Sequence, residues 1–155
     1  MKALLLGGLT VGVLDGLDAV VFFGLRGVTP MRVMQSIASG LLGKQAFQGG
    51  IATAALGVLL HFGIALAVVA VYYLASRKLP DLSRHPVALG PVYGLLVYGV
   101  MNFLVIPLSA AVTGPRTLPV VINGVLIHAL GVGLPAAVFA RAAMSGRSEH
   151  RGSKQ

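Results

Sequence analysis

Four long apolar segments, separated by short polar stretches, dominate the hydrophobic pattern of the chain. The longest run without Asp, Glu, Lys or Arg is residues 45–76, thirty-two residues. A helix of about 20 apolar residues already crosses a bilayer. The pattern therefore predicts an all-α polytopic membrane protein, a bundle of four transmembrane helices. The predicted spans are residues 3–25, 48–75, 87–111 and 119–140.

A shorter amphipathic segment, residues 30–42, lies between the first two predicted spans. Thr29 before Pro30 is a helix-start signal, because a hydroxyl caps the first turn and proline lacks an N–H that would be unpaired there. The segment is too short to cross a bilayer, so we predict an interfacial helix, with a re-entrant segment as the alternative. Its predicted apolar face is Met34, Ile37, Ala38, Leu41 and Leu42, and its polar face is Arg32, Gln35, Ser36 and Ser39.

Composition agrees with a single transmembrane domain, residues 1–144, followed by a polar tail, residues 145–155, that we predict to be disordered. Only 10% of the residues are charged, whereas soluble domains usually carry about 25%. The 21 glycines are typical of helices that approach closely in lipid. The absence of cysteine removes disulfides, thiolate metal sites and cysteine nucleophiles.

The net charge of +8 follows from topology. No Lys/Arg cluster is interleaved with aromatic residues, which argues against a nucleic-acid partner. Eight basic residues flank one side of the predicted spans, and they are Lys2, Arg77, Lys78, Arg84, Arg141, Arg147, Arg151 and Lys154. The other side holds four, Arg26, Arg32, Lys44 and Arg116. The positive-inside rule therefore places both termini in the cytoplasm.

Small residues surround a histidine, His61, at the centre of the second predicted span. At helical spacing they form one face, made of Gly50, Ala54, Gly57, Ala65, Val68 and Tyr72. This face predicts a smooth helix surface with an imidazole at mid-depth. Small-residue faces also favour association with a second copy or another protein, most readily along the Gly50–Gly57 stripe.

Every predicted span carries a polar residue at about the same depth. The candidate site for a proton or cation comprises Asp15, Asp18, His61, Asn102 and His128. Ionisable residues inside a membrane are functional candidates, because each opposes insertion by roughly 2.5–3.5 kcal/mol when charged. Two carboxylates on one helix face do not both ionise readily, so we expect at least one to hold a proton. Asn123 falls on a different face from His128 and is expected to project away from the site.

Three interpretations of these polar residues stay open. They satisfy one another and hold a structural or accessory subunit together; they handle a proton or a divalent cation; or His61 and His128 ligate a b-type haem. No enzyme motif such as GxSxG, HExxH, a Walker loop or GxGxxG is present in the sequence. Enzymatic activity is therefore not indicated, and the pattern does not identify a cofactor.

The run LRGVTPMRVMQSIASG, residues 25–40, resembles a family of small, uncharacterised four-span bacterial inner-membrane proteins. The resemblance extends over most of the chain, at Gly57 and His61, Tyr72-Tyr73, His85-Pro86, Tyr98, Met101-Asn102-Phe103 and Pro107-Leu108-Ser109. It implies four spans in a bacterial cytoplasmic membrane, and it implies no activity, cofactor or substrate.

Reporter fusions test the orientation. Fusions after Leu42 and Arg116 are expected to report the periplasm, and fusions after Arg84 and Arg147 the cytoplasm, because the richer set of basic residues stays inside. Paired alkaline phosphatase and green fluorescent protein reporters measure the two outcomes. A cytoplasmic signal from the Leu42 fusion would reverse the orientation.

Overall fold

A computed structural model of the chain describes residues 1–152, with side chains described as far as Ser145. Within this part all regular structure is helical. The α-helices are α1 (Lys2–Gly24), α2 (Pro30–Leu42), α3 (Gly50–Lys78), α4 (Pro80–Arg84), α5 (Pro86–Val100), α6 (Ile106–Leu108), α7 (Leu118–Ile127) and α8 (Leu134–Gly152). A 3-10 segment covers Gly43–Gln48, and π turns cover Met101–Val105 and His128–Gly133.

Four helical segments of the described part are long and apolar enough to cross a membrane, which confirms the predicted four-helix membrane bundle. They are Lys2–Gly24, Gly50–Lys78, Pro86–Leu108 and Leu118–Ser145, called spans one to four below. Span three joins α5 to α6 through the first π turn, and span four joins α7 to α8 through the second. The predicted disordered tail, residues 145–155, overlaps α8 as far as Gly152, and its last three residues lie outside the described part.

A helix is present at the predicted position between spans one and two. Thr29 caps α2, and its hydroxyl accepts a hydrogen bond from the Arg32 N–H at 3.3 Å. Contrary to the simple amphipathic expectation, the polar residues Gln35 and Ser39 are 2% and 0% exposed, whereas Leu41 is 65% exposed. The helix therefore presents part of its polar face to the protein. Its placement at the membrane surface stays a prediction.

The segments that connect the spans hold α2 on the bundle. Gln35 donates a hydrogen bond to the Gly50 carbonyl oxygen at 3.0 Å, at the start of α3. The segment after span three returns over α2, where the Val112 N–H donates to the Ser39 hydroxyl at 3.0 Å and the Ala110 N–H donates to a main-chain carbonyl of α2 at 3.0 Å. These contacts form one layer, and the bundle end that carries it is called the α2 end. The opposite end, where α4 follows α3, is called the α4 end.

Span four lies at the centre of the bundle and packs against the other three spans. Its alanines Ala136, Ala137 and Ala140 are fully buried. Two tyrosines complete the core towards the α4 end: the rings of Tyr72 and Tyr93 meet edge to face at 4.9 Å, and the Tyr93 hydroxyl donates to the Val68 carbonyl at 2.8 Å. The Tyr72 hydroxyl likewise donates to the Leu82 carbonyl, so neither buried hydroxyl is left without an acceptor.

Glycines bring the main chains of spans three and four into direct contact. A Cβ added to Gly94 would overlap the carbonyl oxygen of His128, and one added to Gly133 would overlap the Gly90 carbonyl oxygen and the Gly94 main chain. Small residues at such crossings let helices in lipid approach closely enough for van der Waals packing to hold them together. This contact fixes the depth of His128 relative to span three.

Replacing Gly94 with alanine tests the close contact. Gly94→Ala is expected to lower the free energy of unfolding in detergent by about 1–3 kcal/mol, because the added methyl group forces the two main chains apart. Gly99→Ala is the matched control, since it lies in the same helix and a Cβ there meets nothing within 4 Å. Equal unfolding free energies for the two variants would contradict the packing described.

Candidate functional site

Span one carries Asp15 into the space between spans two and four. Its Oδ2 atom lies 4.0 Å from Nδ1 of His61, and the two side chains are 26% and 12% exposed. Asp15 also interacts electrostatically with His128 and Asp18. The structure therefore places Asp15 beside His61 and within electrostatic range of two further predicted site residues, His128 and Asp18.

The hydrogen bond of His61 identifies the nitrogen that carries its proton. Nε2 lies 2.8 Å from the Gly12 carbonyl oxygen, and a carbonyl only accepts, so Nε2 bears a hydrogen and donates. In the neutral imidazole, Nδ1 then holds the lone pair, and it is the atom that faces Asp15. The ring rests on a glycine face of α1, since a Cβ on Gly16 would lie 3.1 Å from Nε2.

A main-chain carbonyl of its own span orients His128 in the same manner. Its Nδ1 donates to the Gly124 carbonyl oxygen at 2.9 Å, which leaves Nε2 as the acceptor of the neutral ring. The ring meets Tyr98 edge to face at 5.3 Å. His128 also begins the π turn of span four, and such turns are frequent at functional sites. Both imidazoles therefore have a free nitrogen and a fixed orientation.

Asn123 extends the cluster towards the α2 end. Its Nδ2 donates to Oδ2 of Asp18 at 2.7 Å. The expectation that Asn123 projects away from the site is wrong, because α1 packs along span four and meets a second face of it there. A signal was present in the sequence, since a carboxylate inside a span needs a donor and an amide at similar depth can supply one.

Asn102, the fifth predicted residue, makes local contacts instead. Its amide donates to the Tyr98 carbonyl oxygen at 3.0 Å, within its own helix, and Arg116 donates to its main-chain oxygen at 3.0 Å. Among the residues with described side chains, no hydrogen bond connects it to either carboxylate. The amide pairs a carbonyl beside the π turn of span three, which is a structural role.

The cluster lies nearer the α2 end than the centre of the bundle. With a rise of about 1.5 Å per residue, Asp15, Asp18, His61 and His128 lie about 3–8 Å from the midpoints of their spans. All four are displaced in the same direction, because spans one and three run opposite to spans two and four. The four residues therefore share a similar depth, as the sequence predicted, but this depth is displaced from the centre towards the α2 end.

The metal and haem interpretations can be compared with the described geometry. In the described part of the chain, no three His, Asp or Glu side chains converge closely enough to hold a metal ion. Haem ligation would need a free nitrogen of each histidine facing one macrocycle, whereas the free Nδ1 of His61 faces the Asp15 carboxylate.

A double-mutant cycle tests the contact between Asp18 and Asn123. Asn123→Ala is expected to lower the unfolding free energy by about 0.6–1.7 kcal/mol, because the carboxylate loses its donor. In an Asp18→Ala background the same change is expected to have little effect, so the cycle should give a coupling energy of that size. If the change in unfolding free energy of the double variant equals the sum of the changes in the two single variants, the contact contributes nothing to stability.

Comparison with known proteins adds no assignment. No protein-family profile, curated protein or solved structure matches this chain. The resemblance of residues 25–40 to a bacterial four-span family stays a prediction. A function for this chain is therefore inferred from the chemistry of the residues around Asp15 and His61.

Proposed function

We propose that this chain is an integral membrane protein that binds and transfers a proton at a carboxylate–imidazole site centred on Asp15 and His61. The observation that carries the proposal is the 4.0 Å approach of Oδ2 to Nδ1 inside an apolar bundle. Ionisable groups are costly at this depth and usually mark ion or proton pathways. The charge asymmetry and the resemblance support a bacterial cytoplasmic membrane with both termini inside.

The pair has two states of equal total charge. In one, Asp15 is a neutral carboxylic acid and His61 a neutral imidazole with its lone pair on Nδ1. In the other, the proton has moved from Oδ2 to Nδ1, which leaves a carboxylate beside an imidazolium. Because the interconversion creates no net charge, an environment of low dielectric can accommodate it. A distance of 4.0 Å is longer than a hydrogen bond, so the transfer includes a small rotation of the Asp15 side chain.

The neighbouring groups give the proton a further acceptor. His128 interacts electrostatically with Asp15 and keeps Nε2 free for a proton. Asp18 accepts from the Asn123 amide, a contact that suits a carboxylate as acceptor. We therefore assign proton exchange to Asp15, His61 and His128, and a supporting electrostatic role to Asp18 and Asn123.

A structural or accessory subunit is the second candidate. Two hydrogen bonds favour it, because they pair polar groups without needing a proton to move: Asn102 donates to Tyr98 within span three, and Asn123 donates to Asp18, which connects spans four and one. Its predicted partner surface, the Gly50–Gly57 stripe, is covered at one end. A Cβ on Gly57 would overlap the Met34 carbonyl oxygen, so α2 of the same chain lies on that part of the stripe.

Proton flux in proteoliposomes distinguishes the candidates. The parent protein is expected to equilibrate a pH gradient, read by an entrapped pH-sensitive dye, and Asp15→Asn is expected to reduce the flux to that of empty vesicles. The amide cannot give up a proton to Nδ1, yet it preserves the size of the side chain. Asp81→Asn is the matched control, because Asp81 is exposed on α4, away from the site, and pairs with Arg84 at the surface.

The combined change Asp15→Asn and Asp18→Asn separates loss of function from loss of fold. For a purely structural cluster, this variant should be more stable than the parent and equal to it in flux, since the charges disappear while hydrogen bonding is retained. For a proton site, the variant should fold but conduct no protons. Flux from the double variant equal to that of the parent, or no flux from the parent, would contradict the proposed function.

A further inference from the structure

A cavity of about 340 Å³ opens at the α4 end, away from the carboxylate–imidazole site. It is lined by Arg84, His85, Pro86, Val87, Ala88 and Arg141. These residues come from the end of α4, the start of α5 and the inner part of α8. The cavity is therefore built by three helices and is not a gap within one loop.

The segment that supplies most of this lining, the end of α4 and the start of α5, is anchored to the bundle. The Tyr72 hydroxyl donates to the Leu82 carbonyl oxygen at 2.9 Å, which ties α4 to span two. Leu82 packs against the buried cluster that includes Ala137 and Ala140 of span four. Pro86 is itself buried at the first position of α5. These contacts anchor the α4–α5 segment, which supplies five of the six lining residues, to the bundle.

Several positively charged or partly positive groups lie at this cavity. Arg84 and Arg141 contribute guanidinium groups from different helices, and no acidic residue is among the six that line it. The first turn of α5 has no side-chain cap, so its unpaired N–H groups and the positive end of the helix dipole point to this side. Asp81 lies 3.4 Å from Arg84, but both side chains are more than 70% exposed, so their pairing is weak.

The remaining lining is apolar and lies at the end of a membrane span. Val87 is 73% exposed although it is a large hydrophobic residue, and Ala88 next to it is also exposed. A ligand that complements this lining needs an anionic group to pair with the arginines and a hydrocarbon part to contact Val87. Guanidinium groups pair with phosphate through two parallel hydrogen bonds, and basic pockets between transmembrane helices suit anionic lipid head groups.

We propose that this cavity binds the phosphodiester head group of an anionic phospholipid, with Arg84 and Arg141 on the phosphate and Val87 against the start of an acyl chain. The site is separate from the proposed proton site and does not depend on it. Binding here would hold the α4 end at the lipid head-group level and fix the depth of span three in the bilayer.

Lipid retention measured by native mass spectrometry tests the proposal. Purified protein in detergent is incubated with phosphatidylglycerol or with phosphatidylcholine of the same acyl chains. The parent is expected to retain phosphatidylglycerol preferentially, and each of Arg84→Gln and Arg141→Gln to weaken its binding about fivefold, which corresponds to about 1 kcal/mol for each basic residue near the head groups. Arg77→Gln is the matched control, since Arg77 is a basic residue at the same end that does not line the cavity.

Three results would overturn the proposal. They are equal retention of the two lipids by the parent, an equal loss of binding in Arg77→Gln, and saturation by inorganic phosphate alone with no preference for the anionic lipid. Arg84→Lys and Arg141→Lys preserve the positive charge. These variants should keep most of the preference for phosphatidylglycerol over phosphatidylcholine. Circular dichroism and gel filtration establish that each variant retains the fold of the parent.

Discussion

The direct contact between the main chains of spans three and four determines the rest of the bundle. At Gly94 the third span lies against the carbonyl oxygen of His128, and at Gly133 the fourth lies against the third. In lipid no hydrophobic force drives helices together, so close packing of this kind has to supply the stabilisation. With span four held at this depth, its other faces are available to spans one and two, and His128 lies within electrostatic range of Asp15 on span one.

The arrangement of the polar cluster reflects the high cost of an unpaired polar group inside the membrane. Each imidazole uses one N–H on a main-chain carbonyl, which sets its tautomer and leaves a single acceptor nitrogen. Asp18 accepts a hydrogen bond from the Asn123 amide at 2.7 Å, whereas Oδ2 of Asp15 lies 4.0 Å from Nδ1 of His61, beyond hydrogen-bond distance. The two carboxylates on one helix therefore differ in their surroundings, and the proposed proton site is centred on the one without a hydrogen bond to an amide.

The two ends of the bundle are built differently. At the α2 end, a short helix and the returning segment after span three exchange main-chain and hydroxyl hydrogen bonds and cover the side nearest the cluster. At the α4 end, a tyrosine hydroxyl holds a short turn in place, and arginines from two helices face a cavity. One end is thus closed by hydrogen bonds between connecting segments, and the other carries the cavity of the proposed lipid site.

By itself, the sequence determined the number of spans, their approximate bounds, the cap at Thr29 and the small-residue face around His61, because these follow from local hydrophobicity, turn chemistry and helical period. It also singled out Asp15, Asp18, His61 and His128, since charge inside an apolar run is visible without a structure. Only the tertiary structure decided the partners. Asn123 joined the site and Asn102 did not, because helix rotation and depth are set by glycine contacts between distant segments, which no local pattern encodes.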